Sequence, residues 1–173
     1  MRRHIVFCLT LILFATSKCM FAQQESKPAE PTHYYQLSFS VQEVGDNGKV
    51  TNSRAYTTSI STRANSVERQ SIRTGDKVPL KTDDKGNLQY IDVGVNIDCW
   101  GAQEVNGKFA LQVTADVSTA AKATDPSAPP VIRMNRWSAN VLVPMGKPTI
   151  VLSSDDLQNK GKVQVELTAT RID

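Results

Sequence analysis

The sequence feature that most constrains the fold is an alternation of apolar and polar residues on both sides of an Asn-Gly pair. Every second residue is apolar in residues 91–99 and again in residues 109–117. Because successive side chains of a β-strand point to opposite faces, each run predicts a strand with one buried face. Asn106 and Gly107 tolerate the positive φ that a type I′ turn needs at both central positions. The sequence therefore predicts an antiparallel hairpin.

The rest of the chain carries shorter runs of the same kind, separated by turn residues. They cover residues 37–41, 49–62, 70–74, 78–80, 131–143, 149–153 and 163–169. Gly75-Asp76 predicts a break between two of these runs. In residues 131–143 neither the odd-numbered nor the even-numbered positions are consistently apolar, which predicts a bulge or a strand buried on both faces. The pattern predicts an all-β fold, either an antiparallel β-sandwich or a small partly open barrel of about eight strands.

The N-terminus has the organisation of a secretory signal peptide. Arg2 and Arg3 precede an apolar run over residues 5–15, and Ala22 precedes a polar stretch. The apolar run is shorter than the roughly 20 residues that span a bilayer, and no later stretch qualifies either. We predict a cleaved signal peptide over 1–22, a flexible leader over 23–33 and a single β domain over 34–173. The sequence thus predicts export to the periplasm or the extracellular space. Lys18 argues against lipid anchoring at Cys19.

Cleavage after Ala22 changes both the charge and the cysteine content. The full chain has 20 Lys+Arg and 17 Asp+Glu, and removal of Arg2, Arg3 and Lys18 leaves 20 − 3 = 17 basic residues. A formally neutral domain has no electrostatic basis for binding nucleic acid. Cys99 is then the one remaining thiol. Its place in the alternation favours burial, with an intermolecular bond as the alternative.

Catalytic chemistry has few candidates in this sequence. His33 is the one histidine that follows the predicted signal peptide, and it lies in the predicted leader. Ser-His-Asp triads and multi-histidine zinc sites need imidazole groups held in a rigid shell, so the sequence argues against both. We predict no enzyme activity, no metal and no cofactor.

Two groups of side chains are candidates for recognition. The first is a polar strand face that bears aromatic residues at both ends: Tyr90, Asp92, Asn96, Asp98 and Trp100. The second combines arginines with an aromatic residue, a composition enriched at protein interfaces: Arg133, Arg136 and Trp137. The alternatives are a solvated sheet face for the first group, and a core tryptophan beside two solvated arginines for the second.

Several segments of the second half are similar to the C-terminal core domain of bacterial secretins. They are the strand at 90–98, the strand at 109–118, the strand at 135–143, the turn at Gly146 and the last strand at 166–172. Together the likeness covers roughly residues 88–172. Where the family usually has paired glycines, this chain has Ser153 and Ser154. The resemblance implies a related sheet topology and a tendency to associate through β edges.

We therefore predict a non-catalytic exported domain for protein binding or envelope assembly. The partner is another protein or a further copy of the chain, paired through β edges, with a link to secretins as one form of this role. The alternative is an exported carbohydrate-binding module or carboxylate-based hydrolase. That alternative requires Asp92 or Asp98 to converge in one groove with several of four aromatic rings, those of Tyr34, Tyr35, Tyr90 and Trp100.

Overall fold

The computed structural model describes residues 32–62, 68–81, 86–121, 128–156 and 161–173. The predicted signal peptide and nearly all of the predicted leader lie outside these residues. Eight strands occupy the described part of the chain: β1 (Tyr34–Val44), β2 (Val50–Ser61), β3 (Arg69–Lys81), β4 (Leu88–Val105), β5 (Lys108–Ala121), β6 (Val131–Pro144), β7 (Thr149–Asp155) and β8 (Lys162–Arg171). No helix within the described residues has the length and apolar character needed to cross a membrane.

The strands form two antiparallel sheets of four. Sheet I has the order β2-β1-β8-β7, and sheet II has the order β3-β4-β5-β6. Their apolar faces pack on each other, as the contact between the Tyr35 and Phe109 rings shows, with centroids 4.6 Å apart. The predicted all-β class is thus confirmed as a sandwich of two separate sheets, and the described strands do not close into a barrel.

The core follows the alternation of the sequence. Most of its fully buried side chains point inward from the four central strands, β1, β8, β4 and β5, and the edge strands β2 and β6 add Ile60 and Val143. Cys99 is 1% exposed and belongs to this core. Burial at every second position explains why these strands form, because each can place one apolar face against the opposite sheet.

The predicted hairpin between β4 and β5 is confirmed. Asn106 has a φ of 51° and Gly107 a φ of 71°, which are the positive values that a type I′ turn requires. Near the turn the pairing of the two strands shifts between Trp100 and Gln103. Such a bulge changes the local twist of the sheet without ending the hairpin.

Two expectations for single strands were wrong. Residues 70–74 and 78–80 belong to one continuous strand, β3, because Gly75 pairs with Gly94 instead of ending the ladder. In β6 the pairing with β5 runs without a register shift, and its outer face is open to solvent. The outward apolar residues Met134 and Leu142 are about half exposed, at 46% and 51%. The mixed pattern of β6 therefore reflects exposed apolar side chains on a regular edge strand.

Candidate interaction surfaces

Asp98 is the most strongly held polar residue on the outer face of β4. Its carboxylate accepts two hydrogen bonds from Nη2 of Arg73, at 2.8 and 2.9 Å, and one from Ser71 Oγ at 2.6 Å. Burial would raise the pKa of Asp98, but the hydrogen bonds from Ser71 and Arg73 and the positive charge of the latter outweigh it and lower the pKa. Asp98 thus ties β3 to β4 as an ionised, fully engaged carboxylate.

The other predicted residues of this face are spread along β4. Asp92 pairs with Lys77 at 3.1 Å, and both side chains are 71% exposed. Trp100 lies under the guanidinium of Arg69, 4.7 Å from the ring centroid. Asp92 and Asp98 are six residues apart on one strand, roughly 20 Å. That separation is about twice the largest spacing of a glycosidase carboxylate pair, so the two cannot act on one bond.

A notch interrupts the face between these two aspartates. Gly75 and Gly94 form its floor, and Arg73, Asp92 and Asn96 line its walls around a volume of about 250 Å³. A Cβ atom added at Gly94 would lie 2.1 Å from the carbonyl oxygen of Thr74, so the backbones of β3 and β4 approach too closely for a side chain. Asp92 and Asn96 are therefore brought to one notch, whereas Tyr90, Asp98 and Trp100 lie outside it.

At Gly94 the sheet divides. The ladder between β4 and β5 begins at the pair Val95–Val117. At the next position Ser118 Oγ accepts a hydrogen bond from the Gly94 N–H at 2.9 Å and donates one to its carbonyl oxygen at 3.3 Å. Ser118 is 6% exposed and is the one buried polar side chain in the described part of the chain. A serine thus replaces the backbone ladder where the two strands separate, which no sequence signal indicated.

The three residues of the predicted recognition cluster do not form one patch. Trp137 is opposite Ala115 and packs against the core. Its neighbour Arg136 points to the outer face, where it binds Asp116 through Nε at 2.6 Å and Nη2 at 3.1 Å. Arg133 precedes Trp137 by four residues, so its side chain is on the same face of β6 as Trp137. The arrangement is that of a core tryptophan with the two arginines on opposite faces of β6.

The aromatic residues of the alternative groove are scattered. Tyr35 is fully buried, and its hydroxyl donates to Glu104 Oε2 at 2.5 Å. Desolvation, followed by the hydrogen bond and negative charge of Glu104, raises the pKa of Tyr35 to about 12. Tyr90 and Trp100 are ten residues apart on β4, roughly 33 Å. No shared groove therefore brings these rings together with Asp92 or Asp98.

The ends of the domain meet in a polar cluster that the sequence did not indicate. The ring Nδ1 of His33, the last residue of the predicted leader, lies 2.9 Å from Asp173 Oδ2. The backbone N–H of His33 donates to Thr62 Oγ1 at 3.3 Å. Arg171 donates to the other oxygen of Asp173, also at 2.9 Å. The hydrogen bond to His33 and the contact with Arg171 lower the pKa of the Asp173 carboxyl. The cluster joins residues at opposite ends of the described chain.

The backbone of β2 presents free hydrogen-bonding groups at the border of sheet I. The Thr62 N–H donates to the His33 carbonyl, so the even-numbered residues of β2 direct their backbone groups at β1. The odd-numbered residues point away, as the bond from Ser61 N–H to Glu68 confirms. We call the outward groups of Ser53, Ala55, Thr57 and Ser59 the β2 edge. Within the described residues no hydrogen bond uses these backbone groups.

The other three borders carry features that oppose strand addition. β3 contains Lys77 and Pro79, and β6 carries two arginines. β7 has only seven residues and a register shift between Ile150 and Leu152. Charged side chains, proline, shortness and bulges all protect edges. The β2 edge is the least protected of the four, because its outward groups belong to four exposed, uncharged small residues at alternate positions, with Arg54 as the one charged residue of the strand. The shift in its pairing with β1 lies outside residues 53–59.

Within the described residues the geometry defines an all-β sandwich domain in which β2 is the least protected sheet edge, and its fold has known counterparts. The InvG secretin domain β-barrel of the Salmonella SPI-1 injectisome aligns with a TM-score of 0.53 and 10% identity, over 83% of this chain and 64% of that chain. A second structure of the Salmonella secretin InvG aligns with a TM-score of 0.53 and 11% identity, over 83% and 66%. The predicted secretin-like resemblance is confirmed at the level of the fold. This chain spans less than two thirds of the InvG chains. No protein-family model and no curated protein sequence matches it.

Proposed function

We propose that this chain is an exported bacterial domain that acts in envelope assembly by binding protein through a free sheet edge, without catalysis. The observation that carries the proposal is the β2 edge, where four exposed residues direct eight backbone groups away from the domain. Such a row is a template for an added strand from another chain. Each backbone hydrogen bond contributes about 1 kcal/mol, so a row of this length can support specific binding.

A prediction from the sequence and a likeness in fold support the cellular setting of this function. The predicted signal peptide would deliver the domain to the periplasm or beyond. The fold is shared with InvG, a protein described as a type III secretion injectisome secretin. A role beside secretins, as a component or an accessory of an envelope assembly, is consistent with both.

The geometry disfavours the carbohydrate-binding or hydrolytic alternative. A sugar-binding site needs aromatic rings and polar groups that converge in a concave site. Here Tyr35 belongs to the core, and the carboxylate of Asp98 is bound by Arg73. Tyr90 and Trp100 are ten residues apart on β4.

A single substitution on β2 tests the proposal. Thr57→Pro removes the outward N–H of Thr57 while leaving the bonds from β2 to β1, because this residue does not face β1. Proline is tolerated at such edge positions. The wild-type chain, purified after export, should form oligomers or retain a specific partner from an envelope extract, and Thr57→Pro should weaken that association about tenfold or more.

Thr57→Val is the matched control, since it keeps the N–H and the branched side-chain shape. It should associate like the wild type. A wild-type protein that is monomeric and retains no partner would contradict the proposal, as would equal association by the proline and valine variants.

A further inference from the structure

The outward groups of β2 are arranged symmetrically about one residue. Ser53, Ala55, Thr57 and Ser59 lie at −3, −1, +1 and +3 relative to Tyr56. We propose, on the basis of the edge-binding function above, that the β2 edge pairs with β2 of a second copy of this chain. The two strands run antiparallel about a two-fold axis at Tyr56, which gives sheets I of both copies a common eight-stranded sheet.

This register uses every free backbone group of the edge. Ser53 faces Ser59 of the second copy, and Ala55 faces Thr57 of the second copy. The two-fold axis generates a second, equivalent pair from each of these two pairs. All four residues on each strand direct their N–H and C=O groups outward, so each of these pairs is of the hydrogen-bonded type, in which two residues exchange two bonds. No outward group between residues 53 and 59 is left without a partner.

The side chains also fit this register. Tyr56 meets Tyr56 of the second copy on the inner side of the sheet, where it already packs against the core. Arg54, the one charged residue of β2, faces Thr58 of the second copy and not another arginine. Aromatic cross-strand pairs stabilise a sheet, whereas like charges directly opposite each other destabilise it. The strand is therefore self-complementary in sequence as well as in backbone geometry.

A shifted register loses part of this fit. Moving the axis to Thr57 would require Ser61 as a pairing residue, but its N–H already donates to Glu68. Moving it to Ala55 would require Thr51, which lies beside the shift in the pairing of β1 with β2. Both alternatives leave outward groups unpaired in the middle of a sheet, at a cost in free energy.

The second sheet does not oppose this approach. β3 is the border of sheet II on the side to which β2 connects, and it carries Arg69 and Arg73. The first guanidinium lies on Trp100 and the second is bound to Asp98. Both cations are thus directed onto their own domain and away from a second copy.

The pairing ends with two copies. The other border of sheet I is β7, which is short and shifted in register. An interface of one edge with the same edge of a second copy is closed by its two-fold axis. Sheet I therefore favours a dimer over an extending filament.

Cysteine cross-linking tests the register directly. In a background with the three native cysteines replaced by alanine, Tyr56→Cys places two thiols opposite each other in a non-hydrogen-bonded pair. The Cα atoms of such a pair are about 4.5 Å apart, within the range that a disulfide spans. Tyr56→Cys should form covalent dimers under mild oxidation, and a mixture of Arg54→Cys and Thr58→Cys chains should form mixed dimers with Tyr56 retained. Arg54→Cys alone should form almost none, because its counterpart lies four residues away.

The outcomes separate this inference from the general function. Cross-linking in the predicted pattern supports the two-fold register. If amide hydrogen exchange shows residues 53–59 protected by a bound protein while none of these variants cross-links, the edge binds a different partner and the inference is wrong, although the proposed function stands. If residues 53–59 exchange freely and no partner is retained, both are wrong. Efficient cross-linking by Arg54→Cys alone would overturn the register.

Discussion

The close approach of β3 and β4 at the glycine pair makes Gly94→Ala the most informative substitution for the fold. The added methyl group would lie 2.1 Å from the Thr74 carbonyl oxygen and 2.5 Å from the Gly75 Cα atom. Because ordinary contacts of a Cβ atom begin near 3.4 Å, the strands would have to separate by about 1 Å. The φ of Gly94 is 154°, which L-residues rarely adopt.

The close contact and the strained φ together remove an appreciable share of the free energy of unfolding. A strained φ costs about 1–3 kcal/mol. A displacement of the Gly94 backbone away from β3 also disturbs the bond from its N–H to Ser118 of β5, which is worth about 1 kcal/mol. We expect Gly94→Ala to lower the free energy of unfolding by about 2–4 kcal/mol, against a total of roughly 5–15 kcal/mol for a domain. Denaturant unfolding followed by the fluorescence of Trp100 and Trp137 measures the change.

Two matched glycines separate the contributions. Gly75→Ala would place its Cβ 2.2 Å from the Val93 carbonyl oxygen without a positive φ, so it reports the close contact alone. Gly107→Ala has a φ of 71° and nothing within 4 Å, so it reports the backbone strain alone. If Gly94→Ala destabilises the domain no more than Gly107→Ala, within about 0.5 kcal/mol, the close approach of the strands does not constrain residue 94 and the reasoning is refuted.

Two further predictions concern buried and paired groups. Burial, aided by the negative charge of Asp98, raises the pKa of Cys99 to about 12. A disulfide reagent at pH 8 should therefore react with this thiol at least about a hundredfold more slowly in the native chain than in urea. Equal rates would show that Cys99 is accessible. The lowered pKa of Asp98 stabilises the fold above the ordinary carboxyl pKa, near 4, and this contribution is lost as pH falls through the lowered value. Between pH 7 and pH 3 the melting temperature should thus fall less for Asp98→Asn than for the wild type. The exposed control Asp92→Asn should follow the wild type. Identical melting profiles for all three proteins would contradict this role of Asp98.

Local chemistry made part of the fold predictable. The period of two in residues 91–99 and 109–117 identified the buried faces of β4 and β5, since alternation is a property of each strand alone. Asn106-Gly107 identified their turn, because few other residue pairs accept positive φ at both positions. The same local reasoning was wrong at Gly75, where the sequence contains no sign that Gly94 of the next strand would lie opposite.

The candidate surfaces were harder to predict, because they depend on residues that are distant along the chain. Asp98 was recognised as polar, but its partner Arg73 becomes visible only through the register of β3 on β4. Arg136 and Trp137 are neighbours in sequence and lie on opposite faces of β6, so composition grouped them while geometry separates them. The β2 edge has an unremarkable Ser- and Thr-rich sequence, and its importance arises from its position at the border of a sheet.

The sequence by itself thus determined the β class, the two central strands and their hairpin. Those properties follow from the alternation, turn chemistry and composition of contiguous residues. The tertiary structure decided the order of strands in each sheet, the division of the sheet at Ser118 and which of the described sheet edges is least protected. Strand order is set by pairings between distant segments, and an edge is free only because no other strand of the fold pairs with it.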